Sequence, residues 1–400
     1  MASKKIENKA AFIYSPELMQ YKFSDVHPFN PIRGKMTYEL LQSIEALQDN
    51  QVYPPDLAYE EDLLMAHSPD YIRFIQSLNK GHTVDQERLN NYGFATEDTP
   101  IFDNMHRAGL ILVGATLSAV KLVLTHQCKH ALNLSGGLHH ALYGKASGFC
   151  IYNDIVIAIK YILTHYNLKV LYVDTDAHHG DGVQWAFYDE PQVCTLSLHE
   201  TGRYLFPGTG GITERGSGKG FGYTFNIPLD AYTDDESWLW CYTQALEKVM
   251  EFFKPDIIIT QNGADGHYYD PLSHLHLTMK TYERIPKLAH ELSHKFCDGK
   301  WIALGGGGYD IFRVVPRAWA YIWLEMNGYD KKLKNISPQW IEKWQKYSHN
   351  TIPVCWQDPV ELVKPVPRKE DITYKNKSTL RNALYTISGE QIGNKFLQRP

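Results

Sequence analysis

The sequence predicts an α/β protein in which helices cover both faces of a parallel β-sheet. Short apolar runs rich in β-forming residues alternate with helical patterns as far as about residue 330. Polar residues suited to chemistry follow several of these runs directly, and neither repeats nor low-complexity segments interrupt the alternation. Alternation of this kind is typical of parallel sheets, because each helix returns the chain to the edge where the next strand begins.

The predicted elements follow one another in the order that such a sheet requires. The strands are predicted at Ala11–Tyr14, Ala131–Leu134, Val170–Val173, Val193–Leu198, Asp256–Thr260 and Trp301–Leu304. The helices are predicted near Pro31–Leu47, Asp103–Thr125, Asp154–Thr164, Asp234–Phe253 and Thr281–Lys295. The Gly-rich and aromatic stretch from His199 to Leu229 is expected to be a long loop, and loops of that length usually have a function.

The composition fits a globular protein with a substantial core. The chain has 400 residues, 44% of them hydrophobic, and this length allows one large domain or two smaller ones. We predict a polar N-terminal tail at 1–9, a main domain at 10–330 and a C-terminal extension at 331–400 that packs on it. A net charge of -5 gives no reason to expect nucleic-acid binding, which usually shows a basic surplus.

Cysteine usage and apolar patterning point to a soluble, cytoplasmic protein. The six cysteines are scattered without a CxxC pair, which argues against a disulfide framework or a thiolate zinc site. The N-terminal MASKKIENKA is polar and carries no apolar signal region. The most membrane-like stretch, Ala108–Val120, is too short to span a bilayer, so we expect a buried helix there and no membrane partner.

Ionisable and hydrogen-bonding residues gather after four of the predicted strands. In open α/β sheets, ligands bind outside the carboxyl ends of the strands, so these residues are expected to converge on one crevice. They are His139 and His140 after the second strand, Asp174, Asp176, His178, His179 and Asp181 after the third, Asp265 and His267 after the fifth, and Tyr309 and Asp310 after the sixth.

The segment VDTDAHHGDGV is a candidate metal site. If the strand stays extended beyond Val173, Asp176 and His178 alternate onto one face and can bind one ion together. Asp265 would supply a third ligand and leave an open position, as in catalytic zinc sites. Ligand type alone leaves manganese, iron and cobalt open as well.

The neighbouring residues suit the hydrolysis of an amide. A bound ion lowers the pKa of water toward about 7 and polarises a carbonyl group. The pair His139–His140 offers a general base, and the carboxylates of Asp174 and Asp181 can fix the imidazole tautomers. Tyr309 follows four glycines and can donate a hydrogen bond to the developing oxyanion. Together these residues predict a metal-dependent amidohydrolase.

Each motif taken alone has a simpler explanation. A DxDxH segment also occurs in loops whose aspartates close Asx-turns, and for that segment alone the two interpretations are about equal. A His–His pair is more often structural than catalytic, and GGGG is a turn signal with many causes. The coincidence of four polar strand ends favours the active-site interpretation.

The motifs also resemble a known family. LSGGLHHA, ASGFCIYND, VDTDAHHGDGV, SLH…FPGTG, NGAD and LGGGGY occur in the order and spacing of the histone deacetylase family of zinc-dependent deacylases, from about Ala11 to Trp323. In length and C-terminal extension the chain is most similar to the bacterial acetoin utilization branch, and it lacks the long charged tail of eukaryotic nuclear members. The resemblance implies an arginase-like, three-layer α/β fold around a central eight-stranded parallel sheet.

Carried over by position, the resemblance assigns the catalytic machinery. His140 is the expected general base and then acid, while His139 acts mainly through its charge. The implied residues are the ligands of one catalytic Zn²⁺, Asp176, His178 and Asp265, the dyad His139 and His140 with their respective partners Asp174 and Asp181, and Tyr309, which polarises the acetyl carbonyl.

The resemblance further implies a narrow tunnel for an acyl-lysine side chain. Aromatic walls suit a (CH₂)₄ stem whose charge is neutralised by acylation. The Gly148 carbonyl is expected to accept the substrate amide N–H, Asp98 at the rim to hold the substrate backbone, and Arg33 to guard an acetate-exit cavity. The tunnel residues are Gly148, Phe149, Phe206 and Leu272.

The family binds monovalent cations as well, so the resemblance implies one or two structural K⁺ ions. Glu190 departs from the small hydroxyl residue typical of the second site. The first site would use Asp174, Asp176 and Ser197 with main-chain oxygens of His178 and Leu198, and the second would use carbonyls around Phe187, Glu190, Val193 and Tyr223.

The predicted activity is hydrolysis of N-ε-acetyl-lysine to lysine and acetate in an acetylated protein or peptide. The acetoin utilization branch suggests acetyl-CoA synthetase as the substrate. Deacetylation of small acetylated amines such as acetylpolyamines is an alternative that acidic rim residues besides Asp98 would favour. A non-catalytic acyl-lysine binding protein is disfavoured because the catalytic set is complete, and an arginase-like dimanganese hydrolase because Tyr309 and the aromatic tunnel suit acyl-lysine. The oligomeric state is not predicted.

Overall fold

The computed structural model describes residues 9–79, 84–329, 333–362 and 365–387. Within these ranges one eight-stranded sheet, parallel throughout, has the order β2-β1-β3-β8-β7-β4-β5-β6. The strands are β1 (Ala10–Ile13), β2 (Val52–Tyr53), β3 (His130–Asn133), β4 (Val170–Asp174), β5 (Val193–Glu200), β6 (Thr224–Leu229), β7 (Ile257–Gln261) and β8 (Trp301–Leu304). The predicted eight-stranded parallel sheet is confirmed.

The six predicted strands match β1, β3, β4, β5, β7 and β8 to within two residues at either end. The predicted loop His199–Leu229 was wrong at both ends, because β5 continues to Glu200 and β6 occupies Thr224–Leu229. β6 is the last strand of the sheet, and Pro228 is tolerated there because an edge strand leaves some backbone groups unpaired. β2 is only two residues long and leaves no periodic pattern.

Helices cover both faces of the sheet and produce two apolar cores. α1, α8, α9 and α10 contribute to the core on one face, and α3, α5 and α6 contribute to the core on the other. The α-helices of the described chain are α1 (Ile32–Ser43), α2 (Glu60–Leu63), α3 (Pro69–Asn79), α4 (Gln86–Asn91), α5 (Met105–Leu124), α6 (Asp154–Tyr166), α7 (Asp181–Ala186), α8 (Asp235–Phe253), α9 (Met279–Phe296), α10 (Val315–Asn327), α11 (Pro338–Gln345) and α12 (Lys369–Ala383).

The long apolar helix α5 is a core helix. The helix has 20 residues and is long and apolar enough to cross a membrane. The expectation that the apolar stretch at Ala108–Val120 is too short was therefore wrong about the length of the helix. In the fold, however, 83% of its apolar window is buried. Burial between the sheet and α3 and α6 accounts for its composition without a lipid environment.

The C-terminal extension shares the core of the main domain. Trp340, Trp344 and Trp356 are buried in the same apolar cluster as α1 and α10, and Trp340 donates its indole N–H to the Met36 carbonyl at 3.0 Å. The division at residue 330 stays a prediction. Of the predicted polar tail 1–9, the structure describes only Lys9. Of the predicted extension and its boundary, residues 330–332, 363–364 and 388–400 lie outside the described residues.

Asp358 of the extension forms a buried ion pair with Arg317 of the main domain. Its carboxylate accepts hydrogen bonds from Arg317 at 2.8 Å, His267 at 2.9 Å and the Met279 N–H at 2.8 Å. Burial opposes its charge, but the His267 hydrogen bond and the neighbouring positive charges hold the pKa of Asp358 well below its usual value. The pair is therefore formed throughout the neutral range.

Asp358→Asn is expected to lower the free energy of unfolding at pH 7 by about 3–5 kcal/mol, because it leaves Arg317 buried without its partner charge. The folded pKa of Asp358 lies below its unfolded value of roughly 3.9, so the carboxylate stabilises the fold above that value. That contribution is lost as the pH falls through the folded pKa, so the difference between wild type and variant should narrow below about pH 4. Denaturant unfolding at several pH values measures this.

Asp371→Asn is the matched control, because Asp371 is an exposed aspartate of the same extension paired with Arg368. Its effect should stay within about 0.5 kcal/mol. Equal unfolding free energies for the two variants would contradict the role of the Asp358 pair.

Candidate active site

The four strands whose ends carry the predicted site residues are neighbours in the sheet. They are β3, β8, β7 and β4, in that order. Because the strands are parallel, the loops that follow them leave the sheet at the same edge. The loop after β3 carries the histidine pair, the loop after β4 carries Asp176 and His178, and the loops after β7 and β8 carry Asp265 and Tyr309.

Asp176, His178 and Asp265 form a compact buried group. One ligand atom of each lies within 4.8 Å of the others. The Nδ1 atom of His178 lies 3.1 Å from Asp176 Oδ1 and 2.9 Å from Asp265 Oδ2. Two carboxylates therefore converge on one imidazole nitrogen, which is a donor set that suits a divalent cation.

The route by which these ligands converge differs from the predicted one. β4 ends at Asp174, and the following residues bend instead of staying extended. The Asp174 Oδ1 atom accepts the Asp176 N–H at 3.1 Å, and the Asp176 Oδ1 atom accepts the His178 N–H at 3.0 Å. The aspartates thus close the Asx-turns of the simpler explanation, and Asp176 belongs at the same time to the buried group of potential ligands, so the two explanations are compatible.

The two carboxylates are held by donors from several loops. Asp176 Oδ2 accepts from the Gln261 side chain and the Gly307 N–H, both at 2.7 Å, and Asp265 Oδ1 accepts the Ala177 N–H at 2.8 Å. Burial and the Asp176 charge raise the pKa of Asp265 to about 7. Burial opposes the charge of His178, but both carboxylates raise its pKa well above the usual value. The site therefore favours a positive charge between the carboxylates, which a bound cation supplies.

The two histidines of the loop after β3 have different environments. His139 Nδ1 lies 2.8 Å from Asp174, His140 Nδ1 lies 2.7 Å from Asp181, and the ring centroids are 4.0 Å apart with the rings tilted by 50°. Burial disfavours both charges, but Asp174 and Asp176 raise the pKa of His139 to about 9. Burial and the charge of His139 lower the pKa of His140 to about 4. At neutral pH His140 is accordingly the neutral ring and His139 the charged one.

Tyr309 is positioned by a residue that the sequence did not single out. The buried carboxylate of Asp270 accepts the Tyr309 N–H at 2.7 Å and the Leu272 N–H at 2.9 Å. The Tyr309 ring meets Phe149 edge-on at 5.7 Å and His178 at 6.5 Å. Burial and the nearby Asp265 raise the pKa of Tyr309 well above its usual value, so its hydroxyl stays protonated as a donor.

The predicted tunnel residues lie close to the residues of this group. The Phe206 ring is edge-on to His140 at 5.0 Å and is 43% exposed, so it forms part of the mouth. Gly148 fits between these two rings, because an added Cβ would lie 2.5 Å from His140 Cδ2 and 2.9 Å from Phe206 Cε1. Leu272 is half-buried beside Asp270, and Phe149 is half-buried against Tyr309.

Two further predicted residues differ in their exposure to solvent. Asp98 is exposed in a turn that the Ala95 N–H closes on the Thr99 carbonyl at 3.1 Å. Arg33 is 3% exposed and donates to the Gly306 and Gly308 carbonyls at 3.1 and 2.7 Å. Arg33 lines a pocket together with Phe29, Ser135, Gly136, Gly137, Leu138, His139, His140, Gly148, Phe149, Cys150, Gly306, Gly307 and Tyr309.

The groups predicted to bind K⁺ lie on β4, β5 and the turns around them. Ser197 pairs with Asp174 in the sheet, and its hydroxyl contacts His199 at 2.8 Å. Around the second predicted site, backbone carbonyls already accept N–H groups: Phe187 from Glu190 at 3.1 Å, Glu190 from Val193 at 3.3 Å and Tyr223 from Thr195 at 2.9 Å. Cation binding at either position stays a prediction.

Other buried residues that position the site were missed. Asp154 accepts the Gly137 N–H at 3.1 Å and the Leu138 N–H at 2.8 Å, so it holds the loop that carries the histidine pair. Its signal was present in the motif ASGFCIYND. His179, which received no role, contacts Thr209 at 2.8 Å and Gln184 at 3.0 Å and anchors the loop after β5.

A buried carboxylate–imidazole triad beside a carboxylate-paired histidine dyad and a protonated tyrosine defines a hydrolytic enzyme of the arginase/deacetylase fold. Residues 27–326 match the model of the histone deacetylase domain, so the chain belongs to the histone deacetylase family. It is therefore a hydrolytic deacetylase by family.

Similar proteins support this assignment along almost the whole chain. The chain is 56% identical over 382 residues to the acetoin utilization protein AcuC of Bacillus subtilis strain 168, covering 96% of this chain and 98% of that protein. It is 43% identical to AcuC of Staphylococcus aureus strain MSSA476, covering 92% and 95%. A crystal structure of an HDAC homologue complexed with SAHA has a TM-score of 0.82 at 29% identity, covering 94% of this chain and all of that one. The HDAC homologue from Aquifex aeolicus has a TM-score of 0.81 at 28% identity, with the same coverage.

Gly148→Ala is expected to reduce kcat/KM by about 100-fold, because the new methyl group displaces His140 or Phe206 and the backbone at Gly148 has a positive φ of 49°. Gly144→Ala in the same loop is the control, since its Cβ would meet nothing closer than Ser68 Oγ at 3.8 Å. Steady-state kinetics on an acetyl-lysine peptide give the comparison. Equal losses in both variants would show that the close packing at Gly148 is irrelevant to activity.

Proposed function

We propose that the protein is a zinc-dependent lysine deacetylase that hydrolyses N-ε-acetyl-lysine to lysine and acetate. The observation that carries the proposal is the contact of His140 with Asp181 at 2.7 Å, with the His140 ring 6.1 Å from that of His178 in the triad Asp176–His178–Asp265. A base, a cation site and a hydroxyl donor are the three parts that amide hydrolysis requires. Each comes from a different loop at one edge of the sheet.

Asp176 Oδ1, His178 Nδ1 and Asp265 Oδ2 are the atoms proposed to hold the cation, since they are the ones that converge. When bound, a divalent zinc ion supplies Lewis-acid polarisation of the amide carbonyl and lowers the pKa of water. Its charge would also replace the proton on His178 and restore Asp265 to its ionised form.

The proposed work of the protein groups follows from their protonation. His140 keeps its Nδ1 proton on Asp181, which leaves Nε2 to take a proton from the attacking water and to return it to the leaving lysine amine. His139 is charged through Asp174 and stabilises negative charge that develops beside it. The Tyr309 hydroxyl donates to the oxyanion.

The mouth of the site favours a neutral, extended side chain. Phe149 and Phe206 flank Gly148, and aromatic walls of this kind accept the methylene stem of lysine after acylation removes its charge. The Gly148 carbonyl is the proposed acceptor for the substrate amide N–H, and Asp98 the proposed rim contact. Arg33, which lines the same pocket as Tyr309, is the proposed guard of the acetate exit.

The physiological substrate is proposed from the relatives. Two of them carry the name acetoin utilization protein. We therefore propose a cytoplasmic deacetylase whose substrate is an acetylated metabolic enzyme, acetyl-CoA synthetase.

A structural K⁺ ion is proposed separately, near Asp174 and its neighbour in the sheet, Ser197.

A substrate panel tests the proposed activity. The zinc-loaded enzyme is compared on acetylated acetyl-CoA synthetase, an acetyl-lysine peptide, longer acyl-lysine peptides and acetylpolyamines, with released acetate or acyl group as the measurement. The proposal expects the highest kcat/KM on acetyl-lysine in protein or peptide. A preference for acetylpolyamines would support the alternative substrate class, and binding of acetyl-lysine without turnover would leave only a binding function.

Tyr309→Phe is expected to lower kcat on an acetyl-lysine peptide by about 100- to 1,000-fold, because removal of one oxyanion donor has an effect of that size. KM should change little, and the circular dichroism spectrum should stay that of the wild type. Tyr143→Phe, in the loop that leads to Gly148, is the control because Tyr143 is 66% exposed, and it should keep full activity. Full activity in both variants would remove Tyr309 from the mechanism.

Removal of metal by a chelator is expected to abolish deacetylation, and one equivalent of Zn²⁺ per chain should restore it. A hydroxamate should inhibit the loaded enzyme, since it chelates an ion with an open coordination position. Asp265→Asn removes one of the three proposed ligands and should raise the Kd for Zn²⁺ at least tenfold. Activity that survives exhaustive chelation would contradict the proposed role of the triad.

A further inference from the structure

A second group of potential metal ligands lies at the opposite end of the sheet. His130 is the first residue of β3, whereas the active-site loop follows the last residue of that strand. His290 and His294 are one turn apart on α9, in its C-terminal half. One nitrogen atom of each of the three histidines lies within 4.8 Å of the others.

The three imidazole rings converge through the same atom. His290 Nε2 lies 3.2 Å from His130 Nε2 and 3.0 Å from His294 Nε2. The rings are nearly perpendicular to one another, with interplanar angles of 84°, 79° and 73°. Nitrogen ligands at roughly 2.05 Å from a tetrahedral metal are about 3.3 Å apart, so the observed separations are close to those of an imidazole-bound ion.

A cation would pair with the Nε2 lone pairs of the three imidazoles better than the rings can pair with one another. His290 Nδ1 lies 2.8 Å from Glu325 Oε1, so in a neutral ring the proton sits on Nδ1 and Nε2 carries a lone pair. That single lone pair faces two neighbouring Nε2 atoms. One ion bound at the centre would instead accept all three lone pairs, with Glu325 as the carboxylate that orients His290.

The surroundings of the three histidines favour positive charge. His294 lies in the last turn of α9, where the helix dipole favours positive charge. Lys129 is positive nearby, but its ammonium group pairs with Asp298 at 2.8 Å.

We propose that His130, His290 and His294 form an accessory site for a divalent transition-metal ion that prefers imidazole ligands, Zn²⁺ or Ni²⁺, separate from the active site. His130 is 2% exposed and His294 is exposed, so the group has a buried base and a solvent-facing side through which an ion enters. A fourth position toward solvent would be filled by water. Such an ion ties the end of α9 to the start of β3 and stabilises the fold by binding only the folded chain.

Metal counting on the full-length protein tests the proposal. Wild type, His290→Gln and His294→Gln are loaded with excess Zn²⁺, desalted and analysed for zinc per chain by mass spectrometry. Each variant should retain one ion fewer than wild type. The criterion is the difference between the proteins, so it does not depend on whether the active-site triad is loaded.

His165→Gln is the matched control, because His165 is an exposed helical histidine on α6, and it should bind as many ions as wild type. Titration with Co²⁺ provides the second measurement: the visible absorption of the additional ion should be present in wild type and the control and lost in both variants. Deacetylase activity should stay at the wild-type level in all four proteins. Equal zinc content and equal Co²⁺ spectra in wild type and the two variants would overturn the proposal.

Discussion

The site depends on the Asp176 carboxylate, because this one side chain connects three of the loops that meet at the edge of the sheet. One of its oxygen atoms accepts the His178 N–H within its own loop, and the other accepts from Gln261 at the end of β7 and from Gly307 after β8. It is 1% exposed, so each of these donors offsets part of the cost of removing a charge from water. Loss of the carboxylate would leave all three loops without their common acceptor.

Glycine is required where backbone passes close to these carboxylates. A Cβ on Gly307 would lie 2.1 Å from Asp265 Oδ2, and one on Gly263 would lie 2.4 Å from Asp176 Oδ2. Within the run of glycines after β8, Gly307 is therefore explained by the space that the two buried carboxylates need, whereas a Cβ on Gly305 or Gly306 would meet the Leu134 carbonyl at 2.2 Å or Gln261 Nε2 at 2.4 Å. The run also places the Gly306 and Gly308 carbonyls where Arg33 can donate to both. The same segment thus faces negative charge on one side and a buried guanidinium on the other.

Much of the fold and of the candidate site could be predicted, because both leave short-range patterns. Apolar runs marked six strands, and the polar residues directly after them marked the edge where the site forms. β2 and β6 were not predicted. β2 is too short to show a periodic pattern. β6 contains Asn226 and Pro228, which oppose strand formation except at the edge of a sheet. The bend after Asp174 was not predicted, because it is determined by hydrogen bonds from the backbone to side chains and not by the alternation of apolar and polar residues.

Residues that act through distant partners leave no such pattern. Asp270 accepts the Tyr309 N–H from 39 positions away, so its role cannot be recognised from its neighbours in sequence. Asp154 stands in the motif ASGFCIYND, but its hydrogen bond from the Leu138 N–H in the loop after β3 leaves no sequence pattern of its own. The same holds for the extension. Asp358 bonds to His267 from 91 positions away, and His267 is two residues beyond Asp265 on the same loop. The extension therefore supports the loop that carries the third ligand of the triad, and its stability and the geometry of the site are linked through that single hydrogen bond.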